Sequence, residues 1–229
     1  MKLSNAVLSL GILGLLFLAG CAVLRDGTPA SGRREPELRS GFAETVSLVM
    51  DSATALVGVR TFEQPAYESL RKDGAFELRW YPGMFIATTT ASGDARGGEA
   101  FGRLFRYIGG SNEAKRKIAM TAPAIREETD EGTRMTFILP SRLSLEKAPA
   151  PTDPRISMEP LRAARYATVR FRGTLSREAV EEKAEELRKW IDDQGWIAIG
   201  EPMAAGYDPP FTLPMLRRNE VWYRVLDAS

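Results

Sequence analysis

The sequence predicts an antiparallel α+β domain of two pseudo-repeated halves, each packing one helix against a sheet. Three observations predict it. The order strand, strand, helix, strand, strand can be read twice along the chain. Each helical segment carries an apolar stripe that needs a sheet face to bury it. A crossover with prolines at 140, 149, 151 and 154 separates the two copies. Residue identity between the copies is negligible, so the repeat is one of pattern.

In the first copy, Tyr67 to Leu70 and Phe76 to Trp80 read as strands flanking Lys72-Asp73-Gly74, residues suited to the positive φ of a tight turn. Pro82-Gly83 turns the chain into Met84 to Thr90, rich in β-branched residues, and Gly93-Asp94 opens a loop towards a helix. There Phe101, Leu104, Phe105 and Ile108 fall at i, i+3, i+4 and i+7, and Gly109-Gly110 provides the stop. Burying all four would stabilise the fold by roughly 6–12 kcal/mol. Strands follow at Ile118 to Ile125 and, after the turn residues Asp130 to Gly132, at Arg134 to Leu139. Pro123 cannot donate to a ladder and so predicts an edge or a bulge.

In the second copy, Arg155 to Leu161 and Ala164 to Arg172 read as strands. Ser176 can cap a helix whose Val180, Ala184, Leu187 and Ile191 share a face, and Gly195 ends it. Ile197 to Ile199 and Val221 to Leu226 supply the last strands.

Residues 1–20 have the parts of a secretory signal: Lys2, an apolar stretch from Ala6 to Leu18, and Ala19-Gly20 before Cys21. That stretch is short of the ~20 residues a spanning helix needs. Leu18-Ala19-Gly20-Cys21 resembles the bacterial lipobox. The resemblance implies a mature chain that begins at Cys21, acylated with diacylglycerol and chains such as palmitate. A lipid membrane is then one expected partner. The expected location is the cell envelope, periplasm-facing, and the outer membrane, because Ala22 stands where inner-membrane retention in enteric bacteria uses aspartate. Residues 21–40, with Gly27, Pro29, Ser31, Gly32 and Pro36 among charges, read as a flexible tether. Over 41–60, Phe42, Val46, Val49, Met50, Ala53 and Val57 share the spacing of an amphipathic helix, and 61–229 form the globular domain.

Composition narrows the function. With Lys+Arg 31 against Asp+Glu 30, no basic footprint for nucleic acid appears, and Lys115-Arg116-Lys117 reads as a solvated loop. Cys21 is the only cysteine, which excludes an intrachain disulfide. Histidine is absent, which removes Ser-His-Asp and Cys-His catalysis, histidine-bearing zinc sites and the commonest axial ligand of haem.

Four blocks in order, Phe76-Glu77-Leu78-Arg79-Trp80-Tyr81, Phe105-Arg106-Tyr107-Ile108-Gly109-Gly110-Ser111-Asn112, Lys117-Ile118-Ala119-Met120-Thr121-Ala122-Pro123 and Arg217-Arg218-Asn219-Glu220-Val221-Trp222, with Tyr207-Asp208-Pro209-Pro210 before the last, resemble the SOUL haem-binding family. The resemblance spans Tyr67 to Leu226. It implies a distorted antiparallel β-barrel of two halves with two helices outside. It also implies binding of haem or another tetrapyrrole in a shallow apolar cleft beside the first helix, with no axial ligand predicted. Carried over position by position, the ligand-facing run falls on Leu104, Phe105 and Arg106. A further basic residue of the family falls near uncharged Gly98, for which Arg103 substitutes if the helix is rotated. Aromatic cover plus guanidinium suits a flat apolar ring with two propionates.

Other readings stay open. Met84, Met120, Met203, Met215, Tyr107 and Tyr207 are conceivable iron ligands, against the alternative that each simply packs. An enzyme without histidine would need a carboxylate base such as Glu77 or Glu220, activated by burial that raises its pKa. The same cleft could serve a non-haem ligand or partner, because the barrel resembles bacterial effector-binding domains and fold alone does not decide.

Overall fold

The structure is a computed structural model that describes residues 62–227 apart from 94–96 and 145. The signal segment, Cys21, the tether and the helix expected over 41–60 lie outside the described residues. The chain runs β1 (Glu68–Asp73), β2 (Phe76–Tyr81), β3 (Met84–Ala91), α1 (Gly98–Ile108), β4 (Ala124–Thr129) and β5 (Gly132–Ile138). It continues as β6 (Ser157–Leu161), β7 (Ala164–Phe171), α2 (Arg177–Asp193), β8 (Trp196–Gly206) and β9 (Asn219–Asp227), with a 3-10 turn at Pro214–Leu216.

All nine strands form one sheet in the order β1-β2-β7-β9-β8-β4-β5-β3-β6, and every pairing is antiparallel. Leaving β1 aside, this order is symmetric about the β8–β4 seam. Strands β2, β7, β9 and β8 correspond to β6, β3, β5 and β4, and each helix links corresponding strands. The pseudo-repeat is therefore present, with an exchange: β2 pairs with β7 of the second copy and β6 with β3 of the first. Neither copy can complete its half alone.

Three apolar clusters follow from strand alternation. One face of the second half, with Leu78, Val169, Val221 and Tyr223, packs on Val180, Ala184, Leu187 and Ile191 of α2. The matching face of the first half, with Ala87, Ala91 and Phe137, packs on Leu104, Tyr107 and Ile108 of α1. The opposite face of both halves brings Tyr81, Ile86, Ile125, Ile138, Tyr166 and Trp222 into one cluster. Strands near opposite ends of the sheet order meet there, so the sheet is curled with both helices outside. It does not close: β1 and β6 remain as edges.

Turn chemistry fixes the register locally. Gly132 has φ 126, and a Cβ there would lie 2.5 Å from the Ala91 carbonyl oxygen, so the β4–β5 turn requires glycine. The strand predicted over Ile118 to Ile125 instead begins at Ala124 and runs to Thr129, because Pro123 has no N–H for the ladder. Lys115, Arg116 and Lys117 are exposed.

A buried polar network crosses the second half. Glu220, 0 % exposed, accepts a forked pair of bonds from Arg79 at 2.7 and 3.1 Å and another from Arg218 at 2.9 and 2.7 Å. Tyr207 Oη and Trp222 Nε1 donate to it at 2.9 and 2.8 Å. Arg79 also donates to Glu77 of its own strand at 2.8 Å, while its bonds to Glu220 tie β2 to β9 across β7. Burial alone would raise the Glu220 carboxyl, but Arg79 and then Arg218 outweigh it and hold the pKa below the ordinary carboxylate value. This corrects the expectation of a base activated by burial: Glu220 is an anion whose lone pairs are all engaged.

Glu220→Gln is expected to lower unfolding free energy at pH 7 by about 3–5 kcal/mol, because it leaves buried guanidinium groups without their counter-charge. A carboxyl depressed in the folded state contributes stability above its unfolded value near pH ~4.3 and loses it as pH falls further. Denaturant titrations should therefore show the gap between variant and wild type narrowing below about pH 4.

Candidate functional site

Helix α1 starts at Gly97, which has φ 70 and no side-chain cap, with Glu99 in its first turn and Arg106 in its last, matching the helix dipole. It ends as Gly109 N–H and Ser111 N–H bond to the Phe105 and Arg106 carbonyls. Asn112 then locks the exit by donating to the Tyr107 and Arg116 carbonyls at 3.0 and 2.7 Å.

The buried stripe is Ala100, Arg103, Leu104, Tyr107 and Ile108, one step round from the predicted Phe101, Leu104, Phe105 and Ile108. Arg103 explains the rotation. Its side chain is 3 % exposed. It donates to Thr89 Oγ1 at 2.6 Å, the Thr90 carbonyl at 3.0 Å and Glu99 at 2.6 Å. Its Nε lies 3.8 Å from Asp153 and has no hydrogen-bond partner. A guanidinium so widely bonded can enter the interface, and its seat under the helix turns Phe105 outwards.

The site residues expected from the sequence therefore separate. Leu104 is 0 % exposed and fills the core, so it has no surface for a ligand; its expected contact role is corrected by burial. Arg103 faces the sheet. Phe105 is 55 % exposed and stacks on half-buried Phe101, with centroids 5.9 Å apart and planes at 14°. Phe101 in turn meets Phe137 of β5 edge-on at 5.2 Å, so the aromatic column is rooted in the sheet. Arg106 is exposed on the last turn and forms no ion pair among the described residues.

Beside this face lies an open cleft of about 390 Å³ between α1 and the crossover, walled by Arg106, Ser111, Thr152, Asp153 and Arg155 over the edge of Tyr107. Buried Tyr107 donates to the Pro149 carbonyl at 3.0 Å and so holds the crossover against α1; burial raises its pKa. Asp153 engages Arg155 at 2.9 and 2.7 Å, and those bonds hold its carboxyl well below the usual range. The wall is chiefly polar, so apolar cover comes from Phe105 rather than from the cleft expected to be apolar. In sequence the crossover reads as a linker, and its prolines give no sign of this wall.

The candidate iron ligands are mostly engaged elsewhere. Tyr207 is buried against Glu220, Met84 and Met203 pack on the inner cluster, Met120 packs on the α1 cluster, and Met215 is exposed on the loop before β9. Among the described residues, no group of three or more Asp or Glu could hold a metal. The α1 face thus presents aromatic surface and positive charge to solvent.

The sequence model described as SOUL heme-binding protein matches residues 62–224. The chain is 31% identical over 177 residues to heme-binding protein 1 of Xenopus tropicalis, covering 72% of this chain and 92% of that protein. It is 30% identical over 159 residues to mouse heme-binding protein 2, covering 65% and 77%. Among solved structures, a hydrolase from Listeria innocua aligns with TM-score 0.51 at 12% identity over 69% of this chain and 94% of that one. The EcmrR protein of a DNA complex aligns with TM-score 0.51 at 11% identity over 83% and 65%. At such identity these two likenesses concern the fold alone.

The rotation of α1 is open to a direct check by denaturant unfolding. Leu104→Ala should cost about 2–5 kcal/mol and Phe105→Ala less than about 1 kcal/mol, the reverse of what an inward Phe105 would give.

Proposed function

We propose that this chain, which belongs to the SOUL heme-binding protein family, binds haem or a related tetrapyrrole on the exposed face of α1 while held to the cell envelope through acylated Cys21. One observation carries the binding reading. Phe105 keeps a large aromatic face in solvent, braced from behind by Phe101 and Phe137, with exposed Arg106, which forms no ion pair among the described residues, one residue away.

A tetrapyrrole brings a broad flat ring and anionic side groups, and when iron-loaded a metal centre. Phe105 would cover part of the ring, and Arg106 would pair with a carboxylate at the mouth of the polar cleft. Asp153 keeps Arg155 and the crossover in place, so the wall is formed before a ligand arrives. No iron ligand is assigned to this face, and recognition rests on the ring rather than on the metal.

The envelope location rests on the Leu18-Ala19-Gly20-Cys21 pattern. Two or more acyl chains at one residue give firm anchoring, at about 0.8 kcal/mol for each buried methylene. The tether after Cys21 would then keep the domain at the membrane surface, where it meets ligand.

Two outcomes are expected. Titration with haemin should give a saturable Soret change, and Phe105→Ala with Arg106→Ala should raise Kd about thirtyfold to a thousandfold, for roughly 2–4 kcal/mol of lost stacking and charge-assisted bonding. Metal-free protoporphyrin should bind within about threefold of haemin, because no iron ligand is involved. No saturation, or saturation indifferent to both substitutions, would remove the proposal. Cys21→Ser should move the expressed chain from the membrane to the soluble fraction of its bacterial host; unchanged membrane residence would exclude the lipid anchor.

A further inference from the structure

The loop joining β8 to β9 turns apolar side chains outwards. From Pro209 to Leu216 it carries no charged residue. Phe211, Leu213 and Met215 are 53%, 50% and 61% exposed, while Thr212 between them is buried. Pro214 is exposed as well, so the apolar exposure runs on from Leu213 to Met215.

The exposure is built into a bonded scaffold. The Arg217 guanidinium donates to the carbonyls of Thr212 and Pro210. The Pro214 carbonyl accepts from Gly173 N–H at 3.0 Å, and Thr212 N–H donates to the Pro209 carbonyl at 3.0 Å. At the foot, Tyr207 N–H bonds the Arg218 carbonyl at 3.2 Å, and Arg218 N–H bonds Asp208 at 2.6 Å. A loop tied at both ends and through its middle cannot fold its apolar groups back without breaking these bonds.

The place where the chain enters the domain adds a second, independent observation. Arg218 Nη1 donates to Gln64 Oε1 at 3.1 Å, so the first described residues lie against the foot of this loop. The described chain therefore begins beside the foot of the loop that carries Phe211, Leu213 and Met215. Exposed Arg172, next to the Gly173 that holds Pro214, adds positive charge there, which suits anionic headgroups.

We propose that the Pro209–Leu216 loop is a second membrane contact, with Phe211, Leu213 and Met215 seated at the headgroup–acyl boundary of the bilayer that holds the lipid on Cys21. This rests on the lipid-anchor reading above. The loop would dock the domain against the bilayer instead of leaving it at the end of a free tether, because adding a second apolar contact beside an existing anchor turns weak insertion into an intramolecular event.

The test uses the full chain, purified with its native lipid and reconstituted in vesicles of phosphatidylethanolamine and phosphatidylglycerol. A Leu213→Cys variant gives one reactive thiol when Cys21 is acylated, and that thiol is labelled with an environment-sensitive bimane. Lys189→Cys, on the exposed side of α2, is the reference. Lipids brominated on their acyl chains should quench the label at 213 about threefold more than the label at 189. Phe211→Ser with Met215→Ser should bring quenching at 213 down to the reference, with the domain's thermal unfolding unchanged. Equal, weak quenching at both positions with an acylated N-terminal peptide in the mass spectrum would overturn the loop contact and leave the anchor standing. An unacylated Cys21 would overturn both. Bromine-independent burial of the label that grows with protein concentration would instead identify a second copy as the occupant and overturn the membrane contact.

Discussion

Arg103 carries its charge beneath α1, where Thr89, the Thr90 carbonyl and Glu99 take up its N–H groups and Asp153 faces its Nε. Taking a guanidinium out of water is unfavourable by several kcal/mol unless such partners wait for it, so the seat fixes which side of the helix can point inwards. Once Arg103 and Tyr107 share the buried stripe with Leu104 and Ile108, Phe105 and Arg106 have no place left except solvent. The outward face of Phe105 and Arg106 is thus a consequence of an interaction on the opposite side of the same helix. The crossover depends on it too, because Asp153 lies between Arg103 and Arg155 and sets the far wall of the cleft.

The sheet supplies the rigidity that this arrangement requires. Exchange of β2 and β6 between the two copies means that each helix rests on strands from both, and the Glu220 network pins the exchanged β2 to β9. Buried ionic groups contribute little net stability over an apolar core, but they penalise any register that leaves one unpaired. In a sheet whose alternation would otherwise tolerate slippage, that penalty keeps Arg79, Glu220 and Arg218 in a single arrangement. The same Arg218 braces the apolar loop before β9 and touches Gln64, linking the fold's interior to the first described residues.

Local chemistry made much of the fold legible. The first hairpin, the Ser176 cap that accepts from Ala179 N–H, and the α2 stripe of Val180, Ala184, Leu187 and Ile191 all depend on near neighbours, and all are found, the hairpin with its turn at Gly74-Ala75 and with Lys72 and Asp73 inside β1. The twofold order of elements was legible too. Strand exchange was not, because which distant strand a segment joins leaves no mark in its own sequence. β8 runs to Gly206, well beyond the Ile199 limit read from the sequence, because a register shift between Ile199 and Met203 absorbs Gly200 and Pro202 without ending the ladder. On α1 two apolar stripes one residue apart competed, and only Arg103's partners on β3 decide between them. Phe105 and Arg106 are exposed, as a surface role requires, whereas Leu104 is buried by that one-step rotation, and the Thr152–Arg155 wall was hidden inside what looked like a connector.

A ligand resting on α1 can be located directly by following backbone amide resonances of the isotope-labelled protein during titration with metal-free protoporphyrin. Residues 101–111 and 152–156 should shift together and saturate at one ligand equivalent. Saturable shifts confined to the inner face of the curled sheet, with Phe105, Arg106 and the crossover unmoved, would contradict a binding face on α1.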